Sequence, residues 1–227
     1  MSTPSSPVLP LEAHAPDPLF RVARSDRLLD FSYIDAADAA MARSGNRFDV
    51  PGGGVLYLAS TPAGCYAETL ARYRPSARII EAVRDEDPSF LVAGAVPADW
   101  RHRRLLVEVD LHEPLSFIDI EAAATHTFLT GQLAAELTTL GINELDVAAV
   151  RGPNRLVTRL VAGWAYTASD EQGDPLYAGI RYVSRLGNHE CWAVFDGTGV
   201  TQRRARTIDQ NNPDLLRVAA DFGLRIF

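Results

Sequence analysis

No lysine occurs in these 227 residues, and all 22 basic side chains are arginine. A Schiff-base lysine and a lysine phosphate anchor are therefore excluded. Any anion site must use guanidinium groups, backbone N–H groups or hydroxyls, and the planar guanidinium fork suits phosphate. Cysteine is scarce too: Cys65 and Cys191 are the only two, far apart and without metal-ligand spacing. A reduced, cytoplasmic setting is the expectation. The histidines (His14, His102, His112, His126 and His189) show no ligand spacing either, so no metal is expected. No apolar run is long enough to span a bilayer. Residues 1–18, MSTPSSPVLPLEAHAPDP, lack the basic start and apolar run of a signal peptide and read as a mobile arm. A net charge of −7 argues against direct nucleic-acid binding, which needs a broad cationic surface.

What is present suits one domain over residues 19–227, with 47% hydrophobic content to build its core. Leu19 to Val22 reads as a short strand, and an Ala-rich stretch from Tyr33 to Arg43 as helical. Val55 to Ala59 reads as a buried strand behind the Gly52-Gly53-Gly54 turn. Thr61-Pro62 is a helix start, with Thr as N-cap and Pro in the first turn, and the helix runs to about Tyr73. Arg104 to Leu111 is a strand; Phe128 to Leu140 and Asn154 to Tyr166 are amphipathic helices. Short strands follow at Tyr177 to Ser184, Cys191 to Phe195 and from Val200, with Asp196-Gly197 as a hairpin signal between the last two. Leu215 to Phe222 is a final helix capped by Gly223. Strands and helices alternate without βαβ regularity, so the expected class is α+β.

Residues 45–68, GNRFDVPGGGVLYLASTPAGCYAE, line up three unlike chemistries. Arg47 is a fixed cation, Tyr57 a ring with a hydroxyl, and Glu68 a carboxylate on the helix opened by Thr61-Pro62. Singly, each has a bland reading as a surface arginine, a core tyrosine or an exposed helix carboxylate. Together they form an anion clamp, a stacking platform and a charge stabiliser. Cys65, Thr69 and Arg72 share one side of the helix, and the small Gly64 beside Glu68 leaves room for a ligand or a neighbouring backbone.

Gly45-Asn46-Arg47-Phe48, Val55-Leu56-Tyr57-Leu58 and Ala67-Glu68 resemble the RES domain, named for its Arg, Glu and Ser. Phe20-Arg21-Val22 resembles the family's first strand. Gly179-Ile180-Arg181-Tyr182-Val183-Ser184-Arg185 resembles the segment that supplies its serine. Phe48 stands where the family usually has tryptophan, and residues 74–103 add length. The resemblance implies an ADP-ribosyltransferase-like fold, with mixed sheets around a central cleft and flanking helices. It also implies a toxin of a toxin–antitoxin pair that consumes NAD as substrate, with inorganic phosphate or water as acceptor. Transfer of ADP-ribose to a protein, or an inactive nucleotide- or protein-binding module, are the alternatives. Glu68, Tyr57 and Arg47 would then be catalytic, with Arg47, Tyr57, Ser184 and Arg21 holding NAD. An Xre-type antitoxin is the implied partner, and a homodimer follows by analogy.

The remaining signals have plainer readings. Gly52-Gly53-Gly54 lacks the motif of a nucleotide-binding glycine loop. Asp85-Glu86-Asp87 reads as a solvated acidic loop, and Arg203-Arg204 with Arg206 as a solvated cluster. No G-x-S-x-G elbow surrounds Ser184.

Overall fold

A computed structural model describes residues 12–83, 93–112 and 114–227. The Asp85-Glu86-Asp87 stretch lies outside the described residues, as do residues 1–11. In chain order the elements begin with β1 (Glu12–Ala13), β2 (Leu19–Arg24), β3 (Ser32–Tyr33), α1 (Ala36–Ala39), β4 (Gly54–Ala59) and α2 (Pro62–Leu70). A 3-10 turn (Ala71–Tyr73), α3 (Ala77–Ala82), β5 (Ala95–Val96), α4 (Ala98–His102), β6 (Arg104–His112) and β7 (Phe117–Asp119) follow. Then come α5 (Ala123–Gln132), α6 (Ala134–Thr139), α7 (Val147–Arg151), α8 (Arg155–Thr167) and β8 (Gly179–Val183). The chain ends with β9 (Glu190–Phe195), β10 (Gly199–Thr207), α9 (Pro213–Phe222) and β11 (Arg225–Ile226). The architecture is α+β, a curled mixed sheet with flanking helices.

The main sheet runs β1-β7-β8-β9-β4-β2-β6-β10, with β3 on β4. Its pairings are antiparallel except β7 with β8. Strands β2 and β4 meet at one register pair, Phe20 with Ala59. Weak pairing there lets the sheet fold over on itself. Leu56, Leu58, Trp192 and Val194 from one half pack against Leu19, Ala23, Val107 and Val109 from the other. Helices α5 to α8 cover the outer face of the first half through Leu129, Leu137, Val157 and Val161. Helices α2, α4 and α9 cover the second through Tyr66, Leu70, Trp100 and Leu215.

Four expectations from the sequence change. The Asp196-Gly197 turn forms, but β9 and β10 do not pair. Strand β9 is taken by β4 and β8, and β10 pairs with β6 in the opposite half of the curl. Turn chemistry fixes a local reversal, and the sheet's closure decides who pairs. The Tyr33–Arg43 stretch is helical only over Ala36–Ala39, because the buried Arg159 claims the carbonyls of Asp38, Ala39, Met41 and Ser44. The Phe128–Leu140 helix starts earlier and breaks at Leu133, which keeps Leu129, Leu133 and Leu137 all turned to the core. Two residues of the expected arm join the sheet, Glu12–Ala13 as β1 beside β7, and Asp17 accepts from Arg203 at 2.6 Å. Arg203 also pairs with Asp110 and Arg206 with Glu108, so that cluster is largely neutralised within the chain.

Helix α2 places the first functional side chain. The Thr61 hydroxyl accepts from the Gly64 N–H at 3.3 Å, and Pro62 occupies the first turn. Ala63, Tyr66, Ala67 and Leu70 are buried against α9 and β2. The other stripe, Cys65, Glu68, Thr69 and Arg72, follows helical spacing and turns away from that core. Gly64 admits protein and not ligand, for an added Cβ would lie 3.0 Å from that of Ala59 and 3.1 Å from that of His189.

Strand β8 depends on Gly179, with φ of +155° and a Cβ position 2.0 Å from the Ala193 carbonyl oxygen. Gly179→Ala is expected to lose more than about 2 kcal/mol of stability, measured by urea unfolding. A loss below half of that would mean that β8 and β9 are not so tightly opposed.

Candidate functional site

Where the sheet curls over, strands β2, β4, β8 and β9 form the floor of a cleft of about 850 Å³. The α2 stripe forms one wall, and the 43–47 loop with Gly152, Pro153 and Arg155 forms another. Six guanidinium groups line it, from Arg21, Arg43, Arg47, Arg72, Arg155 and Arg185, against one carboxylate, Glu68. The chain as a whole carries −7, so this concentration of positive charge is local.

Arg47 is the best defined of the six. Its Nη1 is buried and has no hydrogen-bond partner among the described residues. Its guanidinium carbon lies 5.7 Å from the centroid of the Tyr182 ring, which is buried beside Phe48 at 4.9 Å. Burial lowers the Arg47 pKa, while Tyr182 and Glu68 push it back up. A desolvated, unpaired N–H donor is costly unless an anion answers it. The side chains of Arg43, Arg155 and Arg185 likewise make no hydrogen bond or ion pair to a described residue. Arg21 is partly committed, donating to the Asp30 carbonyl at 3.0 Å.

Helix α8 and Asp49 hold the loop that carries Arg47. The Thr158 hydroxyl donates to the Arg47 carbonyl, and the Arg155 N–H donates to the Ala42 carbonyl at 2.8 Å. Asp49, 1% exposed, accepts from the Asn46 N–H at 2.6 Å and from the Tyr57 hydroxyl at 2.8 Å. The Tyr57 oxygen in turn accepts from the Phe48 N–H at 3.1 Å. Burial, and then Asp49, push the Tyr57 phenol well above its ordinary value, so it stays protonated. Tyr57 thus lines the cleft with its ring and spends its hydroxyl on the loop. Glu68 is exposed in the cleft wall and makes no hydrogen bond to any described residue.

Arg21, Arg47, Tyr57 and Glu68 are brought together as the sequence implied; Ser184 is not. It is fully buried and does not line the cleft. Its Oγ accepts from the Leu186 N–H at 3.0 Å, its N–H donates to the His189 carbonyl at 2.7 Å, and its carbonyl accepts from Asn188 at 3.2 Å. A serine ahead of a tight turn finds these local partners first. The same segment instead supplies Tyr182 and Arg185 to the cleft. Period-2 alternation, which buries Ile180, Tyr182 and Ser184 on one face, was the available signal for Tyr182. The Gly52-Gly53-Gly54 turn lies outside the cleft, against the Tyr166 and Tyr33 rings.

A family model for the RES domain matches residues 18–215. The chain belongs to the RES domain family. No curated protein matches this RES domain in sequence. Among solved structures it is similar to the toxin–antitoxin complex MbcT–MbcA of M. tuberculosis, at 13% identity. That match covers 91% of this chain and 87% of the other, with a TM-score of 0.47. Among the described residues of the RES domain, no group of three His, Cys, Asp or Glu is placed to hold a metal. No described helix is long and apolar enough to cross a membrane.

Removing the Asp49 carboxylate should leave the Tyr57 hydroxyl and the Asn46 N–H unanswered. Asp49→Ala is expected to lose about 1–3 kcal/mol of stability and to weaken binding of anionic ligands in the cleft. Urea unfolding and a dinucleotide titration check the two effects; unchanged ligand affinity would remove Asp49 from the support of Arg47.

Proposed function

We propose that this RES-domain protein cleaves the nicotinamide–ribose bond of NAD. One observation carries the reading: a single carboxylate, Glu68, shares one cleft with six arginines, and one of them, Arg47, has a buried donor without a partner among the described residues. A dinucleotide supplies what such a cleft lacks, a pyrophosphate for the cations and a sugar for the carboxylate. Family membership supports the same substrate.

The chemistry asks little of acid catalysis. Nicotinamide leaves from a ring nitrogen that is already cationic, so the barrier lies in the oxocarbenium-like charge that develops on the ribose. Glu68 stabilises that charge and orients the ribose hydroxyls. Arg47 grips the pyrophosphate, its guanidinium held at a fixed angle by the Tyr182 ring. The Tyr57 ring walls the nicotinamide ribose and holds it in a reactive pose. Arg21 contributes a further cation to the same wall. The acceptor is inorganic phosphate or water, giving a phosphorylase or a glycohydrolase. Transfer to a protein side chain is the alternative for the same site. In the cell such an activity is a toxin, and an antitoxin of the Xre type would hold it in check by covering the cleft. A homodimer and a cytoplasmic setting complete the proposal.

Glu68→Gln should lower NAD turnover by roughly a hundredfold or more while leaving NAD affinity nearly intact. Arg47→Ala should instead weaken binding by about tenfold or more, the loss of a hydrogen bond to a charged group. Nicotinamide release, followed by chromatography across a range of NAD concentrations, separates the two effects. Near-normal turnover by Glu68→Gln would end the assignment. Products identified by mass, with and without phosphate, name the acceptor.

A further inference from the structure

Beyond the cleft's end, Arg24 and Arg104 join the cleft's own Arg72, and no carboxylate among the described residues pairs with any of the three. Arg24 and Arg104 stand directly opposite one another, the last register pair of β2 with β6. Like charges so placed in an antiparallel pair repel. Arg72, in the 3-10 turn that follows α2, lies close enough for its charge to act on Arg104. Burial is the main cause that lowers the Arg104 pKa, and the Arg72 and Arg24 charges lower it further.

Among the described residues, the surroundings do not cancel this charge. Asp99 is engaged by Arg103 at 2.7 Å. The carbonyls that end α2 carry about half an elementary charge between them. Arg104 is held over the Trp100 ring at 5.4 Å and donates to the Trp100 carbonyl at 3.2 Å. Arg72 lies 5.0 Å from the Tyr73 centroid and donates to the Tyr73 hydroxyl at 3.0 Å. Both cations are therefore fixed by aromatic rings and neutral oxygens, which hold their direction and leave the charge. Arg24 makes no side-chain hydrogen bond or ion pair to a described residue. A compact dianion with several acceptor oxygens fits such a triad, and a phosphate monoester is one, with about −1.5 to −2 charge at neutral pH.

Arg72 lines the main cleft as well, so the triad is continuous with it. We propose that Arg24, Arg72 and Arg104 form a subsite for a phosphate monoester. Its occupant is the 2′-phosphate of a dinucleotide lying in the cleft, so that NADP is preferred to NAD. This rests on the cleft being a dinucleotide site. A ribose 2′-phosphate met by arginine is a general means of telling the two dinucleotides apart. The same chemistry would accept free inorganic phosphate, and the test separates the sources.

The full chain carrying Glu68→Gln is titrated calorimetrically with NAD, with NADP and with inorganic phosphate. The titrations are repeated after adding Arg24→Gln and Arg104→Gln together, and after Arg24→Gln alone, an exposed strand-end change that leaves the core untouched. NADP should bind at least tenfold more tightly than NAD. That advantage should vanish in the double variant and shrink in the single one, with NAD affinity unchanged in both. Equal affinity for the two dinucleotides, with phosphate binding that the substitutions remove, would keep the subsite and replace the 2′-phosphate by free phosphate. Equal affinity with no such phosphate binding overturns the proposal. A folded protein that binds neither dinucleotide fails the reading of the cleft itself, and the phosphate titration alone then decides the triad.

Discussion

The loop that brings Arg47 to the cleft is held by buried polar side chains of α8 and by Asp49. Helix α8 contributes the Thr158 hydroxyl to the Arg47 carbonyl and the Arg159 guanidinium to four carbonyls upstream. Asp49 fixes the other side through Asn46 and Tyr57. Thr158, Arg159 and Asp49 are buried, so leaving any of them unpaired would cost more than the bond itself contributes. This arrangement leaves two guanidinium nitrogens, Arg47 Nη1 and Arg159 Nε, without a hydrogen-bond partner among the described residues. The polar network behind the site fixes the loop that carries Arg47.

The curl of the sheet supplies the rest. A single register pair between β2 and β4 lets the two halves face each other and opens a floor on which β2, β4, β8 and β9 all present side chains. Helix α2 buries its small and aromatic face against α9 and β2, so its opposite stripe must turn to that opening. Glu68 is thereby placed by packing, without a hydrogen bond of its own. A carboxylate held in that way is free to answer charge that develops on a ligand.

Much of this was legible in the chain because it is local. Thr61-Pro62 set the start of α2, helical spacing set its stripe, and the order of Arg47, Tyr57 and Glu68 announced one pocket. What was not legible depends on distant partners. Nothing local to Arg43, Arg155 or Arg185 says that the curl gathers them around one cleft. Arg159 sits on an amphipathic helix, and nothing in its neighbours reveals that it gathers carbonyls from residues 38–44. Asp196-Gly197 announces a turn but cannot say that β9 and β10 end in opposite halves of the sheet. Ser184 carries the family's letter in the right segment, yet its neighbours Leu186, Asn188 and His189 capture its polar atoms.

The central claim is that this cleft grips a dinucleotide by its pyrophosphate and sets its nicotinamide ribose against Glu68. A crystal structure of the Glu68→Gln variant with NAD tests it most directly. A pyrophosphate oxygen is expected within hydrogen-bond distance of the Arg47 guanidinium, with the Tyr57 ring against the nicotinamide ribose and residue 68 beside that ribose's hydroxyls. A dinucleotide bound outside the cleft, or one whose nicotinamide end lies away from residue 68, would contradict it.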